Sequence, residues 1–207
     1  MTNFMGIVYA HLAGASAVVA ASSQYPLTQN KWWPLISALL TLVIIFVIIP
    51  MSPGPLKYIV FAVFCALLGQ SLNPLVERLG EKKVLEDVLA MVIGIFVAMS
   101  VAGFADKQNL LGFGGYLMAG LIGLILARLV QIGLEVFGGE GERKIALEMK
   151  DWLAVGGTGL FAIFVAYDTQ VLKEEGRAKG RKNYVNSSMG LLLDLVNLFS
   201  NVGDLYE

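Results

Sequence analysis

Seven apolar stretches, each about long enough to cross a bilayer, take up most of the chain, at about 5–23, 34–51, 55–73, 84–105, 113–136, 152–172 and 187–205. A hydrocarbon core of about 30 Å needs roughly 20 helical residues at about 1.5 Å each. Seven such helices use roughly 140 residues, and the connections that remain are short. The expected architecture is therefore an all-α membrane protein, one polytopic domain over residues 1–207 built as a seven-transmembrane-helix bundle. Composition agrees: 57% of residues are hydrophobic and 15% charged, where a soluble domain carries about 25% charge. The first stretch lacks a basic leader and runs on toward Trp32-Trp33-Pro34, so it reads as a retained span and not a cleaved signal.

The same residue inventory removes several classes of function. The formal charge of -1 is far from the basic balance that phosphate neutralisation requires, so nucleic acid is not an expected partner. One histidine, His11, excludes multi-histidine metal sites and HExxH chemistry; near the start of a span it reads as a packing residue. The one cysteine, Cys65, sits in an apolar run and reads as a small buried hydrophobe. No GxSxG nucleophile context appears, the aspartates lack the GxGD setting of intramembrane aspartyl proteases, and the last span has no lysine for a retinal Schiff base. The expectation is a protein that is not an enzyme and has no bound cofactor.

Punctuation places the span ends. Trp32, Trp33, Tyr58, Tyr116 and Trp152 stand where amphipathic rings prefer the headgroup layer. The Pro50-Met-Ser-Pro-Gly-Pro55 turn makes spans two and three an antiparallel hairpin. Gln70, Asn73 and Glu77 are expected to end the third span, as caps or as an entrance vestibule, while Glu86 and Asp87 suit the N-terminus of the fourth. Small residues repeat as ridges for close helix approach: Gly115, Ala119, Gly123 and Ala127 in the fifth span, Ala13, Ala17 and Ala21 in the first, and Gly156, Gly157 and Gly159 in the sixth. Asp106-Lys107, Glu140–Lys144 and the charges of 173–182 read as solvated loops. Lys and Arg divide seven against seven between the two sides, with Lys57 among them; the density of the 173–182 loop alone favours a cytosolic N-terminus.

Charge at membrane depth is costly and by default marks function. Asp168, in Ala166-Tyr-Asp-Thr-Gln170, and Asp194, in Leu193-Asp-Leu-Val-Asn-Leu-Phe199, lie on consecutive antiparallel spans. With those spans ending near Leu172 and starting near Ser187, the two carboxylates lie roughly 6 and 10 Å below one surface. Carboxylates that meet in a partly desolvated site resist double ionisation and share a proton, which makes a pH switch; both ionised, they offer hard oxygen ligands suited to Ca²⁺. Asp194, Asn197, Asn201 and Asp204 recur at i, i+3, i+7 and i+10, one face of an otherwise apolar helix. That stripe reads as the lining of a water-accessible path; the plainer alternative is that the asparagines bond across helices and Asp204 sits in interfacial water. Arg128, the one basic residue well inside a span, either snorkels to the interface or pairs with an acid such as Asp194.

The pairing of Tyr167-Asp-Thr-Gln170 with Leu193-Asp-Leu-Val-Asn-Leu-Phe199 across a short charged loop resembles the YDTQ and LDxxNLF motifs of the Bax inhibitor family, the transmembrane Bax inhibitor motif proteins. Gly69-Gln-Ser-Leu-Asn-Pro-Leu75 and Gly114-Gly-Tyr-Leu-Met118 are similar to further family segments, and the span count agrees over the whole chain. The resemblance implies that the last helix is central, and that the protein is a pH-sensitive Ca²⁺ leak gated by an aspartate pair falling on Asp168 and Asp194, which would also be the metal-binding residues. It implies Ca²⁺ and protons as the ions handled, a role in suppressing cell death with other membrane proteins as partners, and residence in the endoplasmic reticulum for eukaryotic or viral members or the plasma membrane for bacterial ones. The family's second-span arginine latch has no counterpart, since no basic residue lies between Pro34 and Pro55. Either Arg128 replaces it or the latch is absent. The segment Gly203–Glu207 likewise lacks the lysine-rich tail of some members. The alternative function is a non-conducting membrane regulator acting through protein partners.

Overall fold

The computed structural model describes residues 2–105, 109–178 and 182–206; Asp106, Lys107, Lys179 and Arg181, read above as solvated loop, lie outside these. Among the described residues all regular structure is helical: α1 (Thr2–Gln24), α2 (Trp33–Ile48), α3 (Pro55–Glu81), α4 (Leu85–Phe104), a 3-10 turn (Leu110–Phe113), α5 (Gly114–Phe137), α6 (Glu140–Arg177) and α7 (Tyr184–Leu205). Five of these are long and apolar enough to cross a membrane: α1, α3, α4, α5 with its preceding turn, and α6. α2, at 16 residues, is short for a span. α7 is long enough, but its polar stripe dilutes its hydropathy. Its burial accounts for that: no residue from Tyr184 to Asp204 is exposed. A helix shielded from lipid by protein need not be greasy all round.

Several boundaries differ from expectation, among them the end of α6, which carries 173–177 as helix and not loop. α3 does not stop near residue 73 but continues through Pro74 to Glu81. Proline is tolerated inside membrane helices, and here it costs the one backbone bond that residue 74 would have given the Gln70 carbonyl. α6 starts at Glu140, not near 152, so Glu140–Lys144 is helix and not loop. Glu, Arg, Lys, Ala and Leu are good helix formers, and Glu140 and Glu142 in the first turn favour the positive end of the helix dipole. At 38 residues and about 1.5 Å per residue, α6 is far longer than the roughly 30 Å core.

The chain divides into two compact units, Met1–Lys83 with Leu172–Leu193, and Val84–Val171 with Asp194–Glu207. In the first, α3 packs on both α1 and α2, and the proline-rich turn makes α2 and α3 the expected hairpin. α1 buries Phe4, Val8, Leu12, Ala15, Val19 and Ser23, a helical period of three and four. Ala13, Ala17 and Ala21 lie on the exposed side, which corrects their reading as a packing ridge. The close approach is at Gly69 instead, where a Cβ would run into the Val19 carbonyl and lie 2.8 Å from Ser22 Cβ.

One side chain ties this unit together. Gln70 is 1% exposed; its Nε2 donates to the Ser22 carbonyl (2.5 Å), Ser22 Oγ (3.0 Å) and the Tyr25 carbonyl (3.0 Å), and its Oε1 accepts from the Leu27 amide (2.8 Å) and the Trp33 indole (2.9 Å). Asn73 Nδ2 adds a bond to the Ser23 carbonyl at 2.8 Å. Both residues sit mid-helix, so neither caps α3, and Gln70 lines no vestibule. Trp33 is half-buried and bonded to Gln70, leaving Trp32, 58% exposed, as the interfacial ring of the pair. Lys57 is fully buried with Nζ 2.9 Å from the Met51 carbonyl, so it does not belong with the solvated loop charges. His11 is a packing residue as read: Nδ1 bonds the Ile7 carbonyl at 2.7 Å and the ring stacks on Tyr184. Cys65 is buried.

In the second unit α4 buries Val88, Val92, Phe96, Ser100 and Gly103 along one stripe, and opens on Glu86 and Asp87 as expected. α5 buries only Leu117 and Gln131. Gly115 and Gly123 have nothing within 4 Å of a Cβ position, so the predicted ridge of small residues on α5 is not a packing face. The close approaches run to α6: Gly103 against Ala166 and Thr169, Gly114 against the Tyr167 hydroxyl, and Gly120 against Leu160.

Candidate functional site

The motif segment of α6 is held from two sides within the second unit. A Cβ on Gly103 of α4 would lie 2.5 Å from the Ala166 carbonyl oxygen and 2.9 Å from Thr169 Cβ, so α4 bears directly on the turn that carries Asp168. On the other side Gln170, 3% exposed, accepts the Leu110 amide at 2.9 Å, fastening the 3-10 turn before α5 to the same stretch. Thr169 Oγ1 folds back onto the Val165 carbonyl at 2.7 Å, a bond within the helix. Three of the four YDTQ residues thus have structural work around the aspartate: Tyr167 against Gly114, Thr169 against Gly103, and Gln170 on Leu110.

Asp168 meets Asp194. The Asp194 carboxyl lies within hydrogen-bonding and electrostatic reach of the Asp168 side chain; Asp194 is 5% exposed, and its Oδ2 is buried with no hydrogen-bond partner. Asp168 is half-buried. The expected level match holds: Asp168 is nine residues from the α6 end at Arg177 and Asp194 ten from the α7 start at Tyr184, about 14 and 15 Å along their helices.

Farther along α7, the polar stripe divides into buried Asn201 and half-buried Asn197 and Asp204. Asn201 Nδ2 bonds the Asn197 carbonyl at 2.8 Å, and Asn201 presses on Gly157 of α6, where any Cβ would strike its amide. Of the three α6 glycines, Gly157 is the one that admits a neighbour; Gly156 and Gly159 have open space at their Cβ positions.

Arg128 neither snorkels away nor pairs with Asp194. Its Nη2 lies 2.8 Å from Asp204 Oδ2 and 3.0 Å from Asn201 Oδ1, and Lys150 Nζ stands 3.8 Å from Asp204 Oδ1. Asp204 therefore sits in an ion pair, so Arg128 pairs with an acid, as one of its two readings has it, but the acid is Asp204. Lys150 and Gly157 belong to this cluster and were not legible as such: one reads as a loop cation, the other as one glycine among three. Among the described residues no group of three His, Cys, Asp or Glu side chains converges.

Known proteins resemble this chain along most of its length. The family model described as inhibitor of apoptosis-promoting Bax1 matches residues 1–205. The chain is 31% identical over 175 residues to the inner membrane protein YbhL of Escherichia coli (strain K12), covering 80% of this chain and 69% of that protein. It is 27% identical over 202 residues to Bax inhibitor 1 of Schizosaccharomyces pombe, covering 96% and 67%. A Deinococcus radiodurans protein of uncharacterised role is 27% identical over 212 residues, covering 95% and 87%. With a family match along nearly its whole length and five helices long and apolar enough to cross a membrane, the chain belongs to the Bax inhibitor family of multi-pass membrane proteins.

Proposed function

We propose that this protein is a pH-sensitive calcium-leak channel of the Bax inhibitor type, and not an enzyme, with Asp168 and Asp194 as its proton-sharing gate. The observation that carries the reading is the buried Asp194 carboxyl beside Asp168, with one oxygen orphaned. A buried polar atom without a partner in a native site calls for a functional account, and an acid at membrane depth does so more strongly. A single proton between the two carboxyls supplies the donor that joins them and holds α6 to α7. Loss of that proton leaves two like charges in contact, which repel and part the helices. The same oxygens then face the path as ligands for Ca²⁺, which prefers six to eight hard oxygens; two carboxylates cannot complete that shell, so the ion passes with part of its water and is not retained. Asn197, Asn201 and Asp204 continue the polar lining along α7. Lowering stored calcium in this way would connect the protein to the control of cell death that its family name records.

The test is Ca²⁺ flux through purified protein in liposomes from pH 6 to 8. Flux is expected to rise with pH in the wild type, and Asp194→Asn, which keeps the shape and removes the ionisation, is expected to give a flat profile; Asp168→Asn should match it. A pH-dependent flux that persists in Asp194→Asn would refute the gate. No flux from the wild type at any pH would leave the second reading, a non-conducting regulator that acts through membrane-protein partners recoverable by crosslinking.

A further inference from the structure

Arg128 has no task in the gate just described, yet it is the residue that clamps the far end of the polar stripe. We propose that Arg128 is a second, pH-independent closure of the cation path, acting on Asn201 and Asp204 and not on the aspartate pair. The proposal rests on the leak-channel reading and deepens it by naming a barrier the gate does not supply.

Position comes first. Asn201 and Asp204 follow Asp194 by seven and ten residues on one face of α7, about 10 and 15 Å farther along the helix. An ion moving from the aspartates toward the C-terminal end of α7 along the stripe must pass them. There Asn201 is pinned: Gly157 of α6 presses on its amide, its Nδ2 is held by the Asn197 carbonyl at 2.8 Å, and Arg128 Nη2 holds its Oδ1 at 3.0 Å. The same guanidinium nitrogen reaches Asp204 at 2.8 Å, so one group crosslinks two successive turns of the stripe.

Charge makes the clamp selective. A guanidinium stays protonated at any relevant pH, so a divalent cation leaving the aspartates meets a fixed positive charge at short range. Asp204 pairs with it, Lys150 stands 3.8 Å from the same carboxylate, and Glu135 is bonded to Gln131 one turn beyond Arg128, so two cations flank the one Asp204 carboxylate. Helix packing does not force this arrangement. α5 buries only Leu117 and Gln131, and an arginine on so outward-facing a helix has the surface available to it. Arg128 instead turns inward onto α7, with its side chain only 23% exposed.

This geometry predicts opposite effects from the two halves of one ion pair. In the liposome assay, Arg128→Gln is expected to raise Ca²⁺ flux about tenfold at every pH, because Asp204 is left to attract cations, without moving the pH profile set by Asp194. Asp204→Asn is expected to lower flux below the wild type, because the Arg128 guanidinium loses the carboxylate 2.8 Å from it, and Arg128→Lys should stay near the wild type. A merely structural ion pair would make Arg128→Gln and Asp204→Asn shift flux in the same direction or leave it unchanged, and either result overturns the proposal. A second readout does not depend on conduction. With Cys65→Ala as background, the thiol introduced by Asn197→Cys is expected to react slowly with a membrane-impermeant maleimide and several-fold faster once Arg128→Gln is added. If the wild type conducts no Ca²⁺, the leak reading fails and the labelling decides the closure alone: equal labelling with and without Arg128 would sink it.

Discussion

Gly103→Ala is expected to lower the thermal stability of the detergent-solubilised protein by an amount far out of proportion to one methyl group. The new Cβ would stand 2.5 Å from the Ala166 carbonyl oxygen and 2.9 Å from Thr169 Cβ, and the first of these is backbone that cannot swing aside. Overpacking of this kind costs about 3 kcal/mol at the upper end of the usual range, or a fall in melting temperature on the order of 10 °C for a chain of this size. The internal control lies in the same helix. Gly94 has nothing within 4 Å of its Cβ position, so Gly94→Ala should be neutral or slightly stabilising through helix propensity. Equal melting shifts for the two substitutions would contradict the close approach of α4 to the aspartate-bearing turn. Because Ala166 and Thr169 flank the Asp168 segment, any Gly103→Ala protein that survives purification should also show an altered pH profile of flux.

The second large effect is expected at Gln70→Leu. Leucine keeps most of the volume, but it strands the Trp33 indole N–H, the Leu27 amide and the carbonyls of Ser22 and Tyr25, all of which Gln70 now serves. Stranded buried polar groups cost about 1–3 kcal/mol each; with partial relaxation of the α1–α2 connection a total of about 4 kcal/mol is expected. The measurement that isolates the mechanism is Trp33 fluorescence, which should shift as the indole loses its partner, together with faster proteolysis of the segment 25–32. Unchanged proteolysis would mean that Gln70 does not hold this connection.

Where the sequence could be read directly, local physics was sufficient. The transfer cost of apolar residues places seven helices, the Pro50–Pro55 turn separates α2 from α3, and the spacing of Asp168 and Asp194 on consecutive antiparallel helices brings them to one level even though both helix ends were placed short. The ends were misjudged because the apolar run and the helix are different things: α6 carries Glu140–Asp151 as charged helix, and α3 passes Pro74. Small-residue stripes were the poorest guide. Ala13, Ala17 and Ala21 satisfy the spacing for close packing and lie exposed, while the contacts that matter fall on Gly69 and Gly103, which belong to no stripe, and on Gly157 alone of the three α6 glycines.

The amino-acid sequence by itself determined that this chain is a helical membrane protein, which helix can tolerate polar residues, and which two acids stand at matching depth, because hydropathy and helical period are properties of neighbours along the chain. Only the tertiary structure decided that Arg128 goes to Asp204 and Asn201, that Gln70 is a strut and neither a cap nor a vestibule, and that Lys57 is buried. Partner choice for a long polar side chain depends on which helix stands beside it and on what its reach and rotamers allow, and neither is encoded in periodicity.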